Sequence, residues 1–187
     1  MSFLATSDSG SISDPVFLAK IDQFTKWLES QKPVIHVTSL ANTMKMLNKS
    51  MHGDDPVWYT IPESRELSAQ YLFFYEMSLP FGLDLNSSIS QDRRSTKISA
   101  SLKNMSSNEY LKFESEVAAY LKHSGLAKLI SLPSSFRVVY AHLGGIVINQ
   151  MLTGLLIGIV LITVTLGLFF KSTLFSLLSV FPNILPI

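Results

Sequence analysis

His52-Gly53-Asp54-Asp55-Pro56 is the place in this chain where potential metal ligands crowd together. A zinc site needs three or four His, Cys or carboxylate ligands converging on one point. Adjacent carboxylates in a Gly- and Pro-containing turn diverge, and no second cluster offers ligands at useful spacing. The segment therefore reads as a turn, and no metal or other cofactor is expected. Nucleophilic chemistry also lacks parts: the chain has no cysteine, no Gly-x-Ser-x-Gly elbow and no His-Glu-x-x-His pair. A hydrolase would need an unmarked triad, so enzymatic activity is not expected. His36 and His142 fall in strand candidates and read as packing or edge residues. The remaining candidates are aromatic. Trp27, Trp58, Tyr59, Phe73, Phe74 and Tyr75 serve either as core or as the lining of a path for a hydrophobic ligand, with Trp58, Tyr59, Phe73 and Phe74 as the path candidates.

All 14 acidic residues and 14 of the 15 Lys and Arg lie at or before Arg137. The chain thus divides into a water-facing part and a lipid-facing remainder. Met151 to Phe170 contains no charge and 13 Leu, Ile, Val or Phe residues. At about −0.3 to −0.6 kcal/mol each, these favour insertion by about −4 to −8 kcal/mol, and the run is long enough to cross a hydrocarbon layer of about 30 Å. A second apolar run, Leu174 to Ile187, is too short to cross and reads as a truncated second span. Lys171, in the turn between the runs, favours a cytoplasmic turn and places the soluble part on the extracytoplasmic side of a multi-pass inner-membrane protein. The start, Met1-Ser2-Phe3-Leu4, lacks the basic and apolar regions of a secretory signal. A net charge of +1 with both signs interspersed offers no stripe for nucleic acid. Three Asn-x-Ser sequons begin at Asn48, Asn86 and Asn104, a pattern that a Ser-rich chain also produces by chance.

The water-facing residues 1–142 carry alternating helix and strand signals. Ser2 to Thr6 reads as a strand, and Asp14-Pro15 starts a helix whose Phe17, Leu18, Ile21, Phe24 and Leu28 share a face until Pro33. Val34 to Ser39 is a strand candidate, followed by a short helix through Leu40, Met44 and Leu47. Pro62 opens another helix with Leu67, Tyr71, Phe74 and Met77 on its inner face, stopped by Pro80 and Gly82. Ser95 to Leu102 alternates as a half-buried strand, Ser106-Ser107-Asn108-Glu109 is a capping box, and Phe136 to Ala141 reads as the last strand. Omitting a helical insertion at about 40–90, the order is strand, helix, strand, strand, helix, strand, which is the split βαβ or ferredoxin-like pattern. The expected fold class is α+β. Gly144-Gly145 marks the passage into a transmembrane helix over 143–170 and offers a hinge, and 174–187 begins a second one. Gly154 and Gly158 form a GxxxG pair suited to close helix packing, although glycines are ordinary in membrane helices.

Three stretches carry a family resemblance: Met51-His52-Gly53-Asp54-Asp55-Pro56-Val57-Trp58-Tyr59; Ile61-Pro62-Glu63-Ser64-Arg65-Glu66-Leu67 with Tyr75-Glu76-Met77-Ser78-Leu79-Pro80-Phe81-Gly82-Leu83-Asp84-Leu85-Asn86; and Phe181-Pro182-Asn183-Ile184-Leu185-Pro186-Ile187. Together the chain resembles the resistance-nodulation-division (RND) superfamily of exporters, in its hydrophobe branch related to MMPL and Patched-like proteins. The resemblance implies a fragment of about a quarter of a family member, most like the second extracytoplasmic porter domain and the spans after it. It also implies proton-driven export of hydrophobic or lipid-like compounds. The partners so implied are the lipid bilayer, the remaining transmembrane helices, another porter domain and a lipidic substrate. After Arg137 there is no acid to relay protons, so this chain alone is not expected to transport. The alternative is a membrane-anchored extracytoplasmic binding or scaffold domain without transport activity.

Overall fold

A computed structural model describes the protein over residues 1–80, 85–134 and 136–170. Two compact units emerge, Met1–Val138 and Val139–Ile187. In the first unit the elements run β1 (Ser2–Thr6), α1 (Pro15–Glu29), β2 (Val34–Thr38), α2 (Leu40–Met51), α3 (Arg65–Ser78), β3 (Ser95–Leu102) and α4 (Ser107–His123). The three strands form an antiparallel sheet in the order β1-β3-β2. The protein is thus a mixed α+β domain followed by an apolar helix.

Local chemistry sets most boundaries. Asp14 accepts from the Val16 N–H at 2.9 Å and Pro15 occupies the first helical position, so α1 begins there. α4 opens on the capping box, in which Ser106 accepts from the Glu109 N–H and Glu109 accepts from the Ser106 N–H. These hydrogen bonds hold the Glu109 carboxyl below its ordinary range. α3 starts at Arg65 rather than Pro62, because the Ser64 hydroxyl caps the Leu67 N–H at 3.1 Å.

One sheet face carries Phe3, Ala5, Ile98, Ala100 and Val37 into a core completed by Phe17, Leu18, Ile21, Phe24 and Leu28 of α1 and by Phe113, Val117 and Leu121 of α4. Phe24 meets Phe3 edge-on at 5.1 Å, and Trp27 stacks on Tyr120 at 4.0 Å, tying α1 to both sheet and α4. On the opposite face the cross-strand pair Leu4 and Lys97 is exposed. α2 packs against α1 and reaches β3, and α3 packs on α2.

The last strand falls elsewhere than expected. Ser2 and Ser134 exchange backbone hydrogen bonds at 3.2 and 2.7 Å, the Thr6 N–H donates to the Leu129 carbonyl, and the Ser131 N–H donates to Leu4. Residues 129–134 thus run antiparallel along the free edge of β1. Phe136–Ala141, expected as this strand, instead begins helix α5 (Phe136–Phe170). A short β-branched apolar run is ambiguous by period alone, and continuity with the long apolar run resolves it as helix. His142 and Gly144-Gly145 consequently lie inside α5, which starts at Phe136 rather than at residue 143, and the strand-to-helix junction on which the hinge rested is absent.

The inner face of α3 is also corrected. Ser68, Tyr71 and Leu72 are buried, while Phe74 and Met77 are exposed. The second apolar run, Leu174 to Ile187, together with Lys171 and Gly82, lies outside the described residues.

Candidate functional site

The insertion carries the four aromatic path candidates, and all are solvent-accessible: Trp58 41%, Tyr59 44%, Phe73 54% and Phe74 55% exposed. The reading of these residues as core does not hold for them. Tyr75 is half-buried, and Trp27 packs on Phe24 and Tyr120. The four candidates form two pairs. Trp58 and Tyr59 sit on and just after a short 3-10 turn, Pro56–Trp58, whereas Phe73 and Phe74 lie on α3 with their rings 6.2 Å apart. Among the described residues no ring contact joins one pair to the other.

The first pair is held by polar chemistry. Asp55 accepts from the Val57 N–H at 3.0 Å and launches the turn, and the Asp54 carboxylate accepts from Ser50 at 3.2 Å. His52 lies with Nδ1 2.7 Å from the Asn48 carbonyl, and its ring stacks on Trp58 at 3.7 Å and 6°. Each of the three suspected metal ligands thus holds the turn. Gly53 and Asp54 both adopt left-handed backbone (φ 69 and 63), the conformation that the Gly-Asp pair supplies at least cost.

Beneath Tyr59 lies a charged cluster that the sequence analysis missed. Lys45 Nζ from α2 donates to Asp22 Oδ1 of α1 at 2.5 Å and sits 4.9 Å from the centre of the Tyr59 ring, while Lys26 Nζ lies 2.8 Å from Asp22 Oδ2. Asp22 and Lys45 are both buried. Burial alone would raise the Asp22 carboxyl, but the hydrogen bonds from Lys26 and Lys45 overcome it and hold the group below its ordinary value. Asp22 in turn raises Lys26. The pair joins residues 23 positions apart, and its sole sequence signal is an acid on the face shared by Leu18, Ile21 and Thr25.

α5 contains a stretch, Ile146–Phe169, of 24 residues and mean hydropathy 2.5, long and apolar enough to cross a membrane. Large apolar side chains from Ile146 to Phe169 are exposed along it, as expected for contact with lipid rather than protein. Among the described residues nothing outside their own helix turn lies within 4 Å of where a side chain at Gly154 or Gly158 would begin.

No family model matches the chain, and no curated protein or solved structure gives a significant match.

Proposed function

We propose that this chain is part of a proton-driven RND-type exporter of hydrophobic or lipid-like compounds, in which residues 1–134 form a porter-like extracytoplasmic domain of ferredoxin-like topology. One observation carries this reading. With residues 129–134 on the free edge of β1, the spatial order becomes 129–134, β1, β3, β2, all neighbours antiparallel, as a split βαβ sheet requires. A membrane-length helix begins two residues further on, at Phe136. Trp58, Tyr59, Phe73 and Phe74 contribute the apolar surface that a hydrophobic substrate or a neighbouring porter domain would meet. The motive force belongs to acidic residues in further spans of a multi-pass inner-membrane protein.

The test has two arms. The genomic reading frame on either side should encode further spans with a buried acidic pair. The complete protein, expressed in a host lacking its own efflux pumps, should lower accumulation of a fluorescent hydrophobic dye, and Phe73→Ala/Phe74→Ala should abolish that effect without unfolding the domain. A protein limited to this domain and its anchor, with unchanged dye accumulation, supports the anchored binding domain instead.

A further inference from the structure

The polar face of the sheet carries a groove of about 330 Å³, bounded by Ser2 and Leu4 of β1, Lys97 of β3, Ser88, and Ser131 and Ser134 on the far edge. Leu4 and Lys97 face each other across the strands at its centre. We propose that this groove binds a small soluble phosphate monoester, with Lys97 as the charge partner and the Ser88 hydroxyl opposite it as the nearest donor.

Three observations support this. Among the described residues Lys97 is the one charged side chain lining the groove, and no carboxylate lines it. The ion pairs among the described residues engage Lys26, Lys45 and Arg93, leaving the Lys97 ammonium without an acidic partner. A second groove of about 320 Å³, around Lys32, Lys103 and Lys112, differs because Glu109 and Glu116 also line it and offset its charge.

Next, the hydroxyls of Ser2, Ser88 and Ser134 have no hydrogen-bond partner among the described residues. Ser88 lies directly opposite Lys97, and a free hydroxyl donor beside an ammonium suits a tetrahedral oxyanion better than an apolar ligand.

Finally, the walls are fixed by backbone pairing. Ser2 and Ser134 exchange hydrogen bonds, the Leu4 N–H donates to Ser131 Oγ at 3.0 Å, the Lys97 N–H donates to the Ser88 carbonyl at 2.8 Å, and Thr96 Oγ1 donates to the same carbonyl at 3.1 Å. A site held by such pairing needs little ordering when it binds. Leu4 and Ile89 supply apolar surface for the ester's carbon skeleton. A volume near 330 Å³ lies at the small-molecule end of ligand sites. This assignment stands apart from the transport reading and survives its failure.

The test is amide NMR of the full chain in neutral detergent micelles, titrated with glycerol 3-phosphate and, separately, with glycerol. Glycerol 3-phosphate should shift Ser2, Lys97 and Ser131 saturably in the millimolar range, and glycerol should not. Lys97→Ala should weaken binding about tenfold or more, Lys97→Arg should retain it, and Lys112→Ala should leave it unchanged. Lys97 is exposed, so an unchanged spectrum elsewhere verifies that the alanine variant is folded. The assignment is overturned by absence of saturation, by equal response to glycerol, by shifts confined to the Lys112 groove, or by wild-type affinity in Lys97→Ala. Binding to nanodiscs containing phosphatidic acid without binding to glycerol 3-phosphate also overturns it, in favour of a lipid headgroup.

Discussion

Replacing Asp22 with asparagine should destabilise the domain more than replacing its partner Lys45 with methionine, and the geometry gives the reason. Lys45 is buried, with 7% of its side chain exposed, and Asp22 is its one ion-pair partner among the described residues. Asp22→Asn keeps the shape but leaves an ammonium in a site of low polarity, a loss of about 3–5 kcal/mol for a broken buried pair. Lys45→Met removes that ammonium and retains an apolar stem, while Asp22 keeps Lys26, whose side chain is 67% exposed and can carry the carboxylate's charge toward water. The cost there should be about 1–2 kcal/mol. The double variant should lie near Lys45→Met, because the uncompensated charge is gone; the two single costs then fail to add. Urea unfolding of the full chain in micelles, followed by Trp27 fluorescence in a Trp58→Phe background, reads all three, since Trp27 stacks between α1 and α4. The pH dependence follows with its sign. Asp22 titrates below its unfolded value, so its contribution is present above about pH 4 and is lost as pH falls through the folded value. Asp22→Asn should flatten that acid limb. If Asp22→Asn costs less than Lys45→Met, or the two costs add, the buried-pair reasoning is wrong.

Other perturbations probe different links. Phe24→Ala, at a ring fully buried against Phe3 and Trp27, should cost about 3–5 kcal/mol in the same unfolding assay. Gly125→Ala should cost about 1–2 kcal/mol through backbone strain, because Gly125 has φ 71 and a Cβ there would meet nothing beyond its chain neighbours within 4 Å among the described residues. Sidedness can be read from a sequon: Asn104 is exposed before α4, whereas Asn48 is buried and donates to the Thr60 carbonyl at 3.0 Å. With the complete protein translated in the presence of microsomes, an Asn48→Gln/Asn86→Gln variant should gain an endoglycosidase-sensitive glycan at Asn104, and an unmodified site there counts against the extracytoplasmic placement.

The parts legible in the sequence were those with local causes. Asp14-Pro15 and Ser106 to Glu109 fix two helix starts through hydrogen bonds spanning two or three residues, and Ser95 to Leu102 shows its buried face by alternation. Where two local signals compete, tertiary context decides between them. Pro62 promised a helix start, but the Ser64 hydroxyl met the Leu67 N–H and won. Val138-Val139-Tyr140 reads as a strand by composition, while the edge of β1 is filled by residues 129–134, where Pro133 and two serines give no strand signal. The polar clusters were invisible for a different reason. Asp22 meets Lys45, and Ser2 meets Ser134, only after the chain has closed on itself.

The surface of α3 separates what the fold needs from what it does not. Its buried stripe, Ser68, Tyr71 and Leu72, attaches the helix to the domain, and Leu72 belongs to the core. Phe73, Phe74 and Met77 form a second apolar stripe that is exposed among the described residues, and a helix on a soluble surface ordinarily carries polar residues there. Truncating exposed side chains should cost the fold about 0.5 kcal/mol or less each. Loss of dye export in Phe73→Ala/Phe74→Ala, with an unfolding midpoint matching wild type, would therefore report a contact made by this stripe with something other than its own core. An equal loss of stability would instead mean that the stripe is structural, and the argument from exposure to function would fail.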